Sequence, residues 1–371
     1  MPDTAKILPF RARSASAPCT REEAVSRAKA FLATPMVDRS LEIIDTELGD
    51  GDVLMSVCSL LLETVNTTPA DVVREAAPIY KWISARADKH FFFDERDFFM
   101  GEAALLAGCA SRLLGKRVEA EGWFDRADAS FRHTVSPVAH LARVSYNRLS
   151  LRYDQNRHED LLELLPSTAL TFERLGMRSD LAKCLFLQAM SLKVMQRLDE
   201  AADLLGQLAS DVDLEPALRG TALLNLGNLY SNQGFLERAL VAYGQAKPLL
   251  ESGHRLATLA DLKVMFGETL RAMGRGTDAL AAYREAIADH VGLGMMTRAA
   301  YLRVAFAEAL FESGRVREAE WELLAALPTI DEQRMVPEGF AAVALLRESV
   351  AHRKTDPAAL VELRKYLQAQ N

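Results

Sequence analysis

The chain has 371 residues, 49% of them apolar and 26% charged, a balance that excludes a wholly disordered chain and requires a buried core. Lys and Arg number 44 against 51 Asp and Glu, a formal net charge of −7, so a sequence-independent grip on nucleic acid is not expected. Cys19, Cys58, Cys109 and Cys184 stand 39, 51 and 75 positions apart, too far for a CxxC zinc pair or a dense disulfide framework, and read as reduced thiols of a cytoplasmic protein.

Residues 1–19 carry three basic residues and one four-residue apolar patch, Ile7–Phe10, too short for a secretory signal. They read as a disordered tail, with a targeting or docking peptide anchored by Ile7, Leu8 and Phe10 as alternatives. No apolar run approaches the roughly 18–20 residues of a membrane-spanning helix. Residues 20–93 hold four helical patterns, REEAVSRAKAFLA, SLEIIDTEL, LMSVCSLLLETV and ADVVREAAPIYKWISARAD, read as a helical cap or degenerate repeats. In HFFFDERDFF, 90–99, five phenylalanines flank an acidic core. They either seal the joint to the next domain, with Asp94 or Asp97 capping a helix, or form an exposed edge for a partner or a dimer; the seal is the favoured reading.

From about 94 to 330 one pattern recurs. Leu223, Leu226, Gly227, Tyr230, Gly234, Ala239, Tyr243 and Ala246 are followed forty residues later by Phe266, Gly267, Leu270, Gly274, Ala279, Tyr283 and Ala286. Ala307, Leu310, Gly314, Ala319, Leu323 and Ala326 follow forty beyond that. Earlier copies start near 101, 142 and 182, giving six units, each with two apolar runs at helical spacing split by a short turn. Gly115, Gly234, Gly274 and Gly314 occupy the turn, where positive φ is usual. Asn156 suits that conformation; Gln196 does not, and a different turn is expected there. Gly108, Ala189, Gly227, Gly267 and Ala307 sit mid-helix, where glycine costs about 1 kcal/mol against alanine, which points to close helix-to-helix approach; Ala120, Ala201, Ala239, Ala279 and Ala319 let the second helix come near, with Phe124, Tyr243 and Tyr283 filling the space beside them. Beyond 331, Pro337 and Thr355-Asp356-Pro357 mark the starts of two capping helices.

The segment GTALLNLGNLYSNQGFLERALVAYGQA, 220–246, resembles a tetratricopeptide repeat, in the pattern L-x-x-L-G-x-x-Y followed by A-x-x-x-Y-x-x-A. The period of about 40 departs from the usual 34, and the extra residues are expected to lengthen both helices by a turn. The resemblance implies an all-α, right-handed α-solenoid of antiparallel helix pairs with helical caps, whose first helices line a concave groove. Transferred slot by slot, that groove takes Arg143, Tyr146, Asn147, Ser150 and Tyr153 from the second unit, and Lys183, Phe186, Met190 and Lys193 from the third. The fourth gives Leu224, Asn225, Asn228 and Ser231, with Asn228 at the slot that can bind a ligand's backbone. The fifth and sixth give Asp261, Val264, Glu268 and Arg271, then Tyr301, Val304, Glu308 and Phe311. Such a groove is basic, aromatic and amide-rich in its middle and more acidic towards its end. Lys183 and Asn228 suggest part of the family's carboxylate clamp, but Asp261 stands where that clamp needs a base, so carboxylate capture is not expected.

No catalytic motif appears. GCASRLLGK, 108–116, has six residues between its glycines and lacks the hydroxyl of a phosphate loop, and GLGMMT, 292–297, follows a helix instead of a strand. His133 and His140 straddle Ser136-Pro137, and His158-Glu159-Asp160 reads as a polar turn at a helix start. The expectation is a protein without cofactor, metal or catalysis that binds a peptide or helix of a partner protein, with neither nucleic acid nor membrane as a direct partner. A peptide-sensing regulator acting on a separate effector through solenoid curvature is the alternative; an enzyme with an unfamiliar site is a distant third.

Overall fold

The computed structural model describes residues 19–86, 91 and 93–331, with Val361 and Lys365 beyond them. Residues 1–18 of the expected tail 1–19 lie outside these residues, as do the expected capping helices after 337 apart from Val361 and Lys365, which are helical. Among the described residues all regular structure is helical. The chain divides into two compact units, 1–195 and 196–371, with the division inside the third sequence repeat.

The first unit opens with α1 (Arg21–Ala33), α2 (Leu41–Leu48), α3 (Gly51–Thr64) and α4 (Pro69–Arg86). Thr20, Ser40 and Asp50 accept backbone N–H groups at the starts of α1, α2 and α3, which satisfies donors a helix leaves orphaned. Arg39 holds α4 by a two-pronged pair with Glu75, at 2.5 and 3.1 Å, and lies over the Phe31 ring. Trp82 donates its indole N–H to Asp45 at 2.7 Å. Phe91 is buried against Phe99 in this core, as the seal reading expects. Phe92 and the side chains of Phe93 and Asp94 lie outside the description, and Asp97 pairs with Arg96.

Helix pairs follow: α5 (Phe93–Leu113) with α6 (Arg117–Phe131), α7 (Pro137–Asp154) with α8 (His158–Arg174), and α9 (Arg178–Val194). The second unit continues with α10 (Leu198–Ser210), α11 (Pro216–Asn232), α12 (Leu236–Ser252), α13 (Leu256–Ala272), α14 (Gly276–Gly292), α15 (Met296–Glu312) and α16 (Val316–Asp331). The long period has a plain origin. Helices α8, α9 and α11 to α15 each span 17 residues and consecutive ones within a unit are joined by three, so each half-repeat is 20 residues. The residues beyond a 34-residue period lengthen both helices alike.

The three-residue connecting turns share one backbone form, with a positive φ at the middle residue. At Gly274, φ is 75°; its N–H bonds the Arg271 carbonyl and the Arg275 N–H bonds that of Leu270, both at 2.9 Å. This pattern satisfies the carbonyls a helix leaves open at its end. Asn156 at φ 57° fits the expectation. Gln196 corrects it: at φ 61° it adopts the same left-handed form as the glycines, because a three-residue connection between antiparallel helices leaves the backbone no other route.

Packing within a pair depends on the small mid-helix residue. A Cβ on Gly227 would stand 2.4 Å from the Tyr243 ring, and one on Gly108 would stand 2.5 Å from the Phe124 ring. Both rings are fully buried, each contributing about 1.5–3 kcal/mol. Gly244, on the outer face of α12, has open space in place of a Cβ.

Chemical denaturation should therefore separate two glycines of one helix pair. Gly227→Ala is expected to destabilise by about 1–2 kcal/mol, overpacking outweighing the helix-propensity gain. Gly244→Ala should stabilise by up to about 1 kcal/mol. Gln196→Gly, which relieves a left-handed side-chain residue, should raise the unfolding free energy by about 1 kcal/mol.

Candidate functional site

In the first unit α7 touches both α5 and α9, so the first helices present adjoining faces. Several candidate residues there are engaged with the neighbouring repeat. Arg143 grips Glu102 of α5 at 2.7 and 3.4 Å, with His140 Nδ1 3.5 Å from the same carboxylate. Burial pushes the Glu102 carboxyl up, but Arg143 and His140 outweigh it and bring its pKa down to about 2. Asn147 donates to the Arg143 carbonyl at 2.9 Å and accepts the Cys109 thiol at 3.0 Å. Arg112 of α5 reaches Asp154 of α7 at 2.6 Å. Tyr146 and Tyr153 pack on the cluster around Leu149, Leu165 and Phe172, and Tyr153 meets the edge of His158.

Lys183 pairs with Asp180 on its own helix at 2.9 Å. Phe186, Met190 and Lys193 fall at steps of four and three on α9, and so share one face. All three are half-buried. Lys193 has no ion pair or hydrogen bond with a described residue, and burial alone lowers its pKa.

In the second unit the polar residues of the first helices are also engaged. Asn225 donates to the Thr221 carbonyl at 2.9 Å. Asn228, at the slot expected to bind a ligand's backbone, accepts the Tyr243 hydroxyl at 2.8 Å. Ser231 and Thr269 bond across α11 and α13 at 3.0 Å. Arg271 lies 3.3 Å from Glu308 and 3.7 Å from Glu312 of α15, while Asp261 takes Arg298 at 2.9 Å and faces the buried His290 at 3.3 Å. Glu308 is buried, Glu268 half-buried, and Tyr301 and Phe311 pack on the core of α13 to α16. Partners one repeat along the chain are what the sequence reading missed: acid and base, or two hydroxyls, at a spacing near 40 were the available signal.

The weak motifs resolve into helix and turn. Gly108 lies inside α5 and Gly115 ends it at φ 72°, while Gly292 closes α14 and Gly294 turns into α15. His133 falls between α6 and α7, and His140 stacks on Phe131. His158, expected in a polar turn, is buried at the start of α8 beside Tyr153. The four cysteines are free, and burial raises the thiols of Cys109 and Cys184 to about 11 and about 12. Among the described residues no group of three His, Cys, Asp or Glu could hold a metal, and no helix is long and apolar enough to cross a membrane.

Glu102 makes acid stability diagnostic. Its folded pKa lies below the ordinary value of 4.5, so its stabilisation is complete above about 4.5 and is lost as pH falls through about 2. Glu102→Gln should lower the unfolding free energy at pH 7 by about 2–3 kcal/mol and flatten its fall below pH 4.5, measured by urea denaturation at successive pH values.

No protein-family model and no curated protein matches the sequence. Solved structures do resemble the fold. The Rap conjugation gene regulator of plasmid pLS20, in complex with the Phr* peptide, has a TM-score of 0.55 at 15% identity, covering 94% of both chains. Aspartyl phosphate phosphatase F from Bacillus subtilis has 0.53 at 12%, covering 97% of this chain and 96% of that one. A signal-transduction ATPase from Pyrococcus horikoshii with a tetratricopeptide repeat sensor has 0.53 at 13%, covering 91% of this chain and 54% of that one. The repeat pattern, the paired helices and these likenesses agree: in fold this chain is an α-solenoid of the tetratricopeptide-repeat type.

Proposed function

We propose that the protein is a non-catalytic, cytoplasmic binding protein whose first-helix faces hold a peptide or helix of a partner protein. The observation that carries this reading is the α7–α9 face of the first unit, where half-buried Phe186 and Met190 adjoin a lysine with no counter-charge. A half-buried ammonium without a partner forfeits hydration and gains nothing in return, so a ligand that brings a carboxylate to Lys193 and apolar side chains to Phe186 and Met190 restores the balance. The engaged pairs of Arg143 and Asn147 set the shape of the surface around it. Four free thiols, those of Cys58 and Cys184 buried, suit a reducing compartment.

A peptide-sensing regulator acting on a separate effector is the second reading. It is favoured by likeness over 94% of both chains to a gene regulator solved with a peptide.

Selection from a displayed 12-residue peptide library tests the first reading. Peptides retained by the wild type should carry an acidic residue near apolar ones, and Phe186→Ala with Lys193→Ala should bind them about tenfold more weakly, a loss of about 1.4 kcal/mol, at an unchanged melting temperature. Equal binding by the double variant would move the site elsewhere. A change in radius of gyration on saturation with a selected peptide would favour the regulator.

A further inference from the structure

The second unit contains its own template for a ligand. On the face where α12 and α14 flank α13 lies a cleft of about 380 Å³, floored by Tyr243, Leu259, Leu262, Phe266 and Leu270 and rimmed by Lys247, Lys263, Arg275, Asp278 and Glu285. Forty residues further on, the same positions between α14, α15 and α16 are filled from within. There Arg284 follows the buried aromatic Tyr283 and lies over the ring of Phe306, its guanidinium carbon 5.7 Å from the ring centre, and Phe306 is only 2% exposed. The charge of Arg284 also helps to hold the Glu318 carboxyl below its ordinary pKa, after the closer Arg315.

In the cleft the ring and the acid are present and the arginine is not. Gly244 follows Tyr243 where Arg284 follows Tyr283, and Ala281 and Ala282 stand where Trp321 and Glu322 stand forty residues on. Phe266 is consequently half-buried, and nothing lies within 4 Å of where a Gly244 Cβ would be. The position is charged in the first unit too: Asp125, after Phe124, takes Arg148 at 2.6 Å. Of the rim cations, Arg275 already pairs with Asp278, as Arg315 does with Glu318 in the filled copy. Lys263 is held by Asp289 at 2.7 Å and pairs with Glu285 at 3.4 Å, and Lys247, the third rim cation, is exposed. Glu285, 67% exposed at its side chain with one long ion pair, and Asp278, which meets Arg275 through one oxygen, both keep acceptor capacity.

We propose that this cleft is a socket for an arginine side chain presented by a partner protein, with the aliphatic stem along Leu259 and Leu262, the guanidinium over Phe266, and Glu285 and Asp278 as acceptors. Cation–π attraction and charge-assisted hydrogen bonds favour that guest over an apolar one of equal length. The socket is separate from the α7–α9 face, so either can stand without the other.

The test uses the full chain and three small probes, N-acetyl-arginine, N-acetyl-norleucine and N-acetyl-phenylalanine N-methylamides, with binding read by saturation-transfer NMR and calorimetry. The arginine probe is expected to bind about tenfold more tightly than the norleucine probe. Gly244→Arg, which supplies the side chain from within, should abolish that binding at an equal or higher melting temperature. Glu285→Gln, a substitution at an exposed position, should weaken it several-fold without changing the fold. Tighter binding of the phenylalanine or norleucine probe, undiminished arginine binding by either variant, or no difference between probes would overturn the proposal.

Discussion

A buried ring on the second helix of a pair needs a hollow in the first, and the 20-residue spacing of the helices follows from keeping ring and hollow in step. Phe124 against Gly108 and Tyr243 against Gly227 leave no room for a Cβ, so neither helix can slide by one residue without burying a clash or baring a ring. The three-residue connections and their left-handed turns serve the same constraint, since a longer loop would let the two helices drift in register. This is why a glycine that disfavours helix is retained in mid-helix: the local cost of about 1 kcal/mol is smaller than the burial it permits.

A second layer of order runs along the array. Glu102 with Arg143, Cys109 with Asn147, Ser231 with Thr269 and Asp261 with Arg298 join residues 41, 38, 38 and 37 positions apart, one repeat in each case. These pairs lock a first helix to the next first helix on the face proposed for a ligand. The polar character of that face therefore belongs to the scaffold at most positions, and an incoming segment must compete with contacts already made. Lys193 is exceptional because no described residue answers it.

How much of this the sequence discloses depends on the range of the interaction. Helices α1 and α2, the turn glycines and the close helix approach at the mid-helix glycines are local or recur at a fixed period, and they were legible from residue spacing alone; that a ring sits on Gly108 and Gly227 but stands off Gly267, with Tyr283 3.6 Å from where a Cβ would be, was not. Gln196 was misread because propensity was weighed where geometry decides: its neighbours force φ to 61°, and the chain accepts the strain. The candidate face was legible as a set of positions but not as a set of free groups. Whether Asn228 meets a ligand or the Tyr243 hydroxyl depends on rotamer and helix separation, which one sequence does not encode at any fixed spacing. His158 failed for a similar reason, since charged neighbours in the chain say nothing of the ring that covers it.

Repetition also makes the chain its own control. Where copies agree, as in Tyr243 and Tyr283, the residue serves the fold; where they differ at one position, the difference is free to serve something else. The residue after the second-helix aromatic is Asp125, Gly244 or Arg284, and its surroundings differ accordingly: an ion pair to Arg148, an open cleft over Phe266, and a guanidinium over Phe306. None of these substitutions disturbs the helix beneath, because that position points away from the core that the ring and the glycine define. A solenoid can therefore vary recognition on its second-helix face without renegotiating its packing, and an absent side chain becomes as informative as a present one.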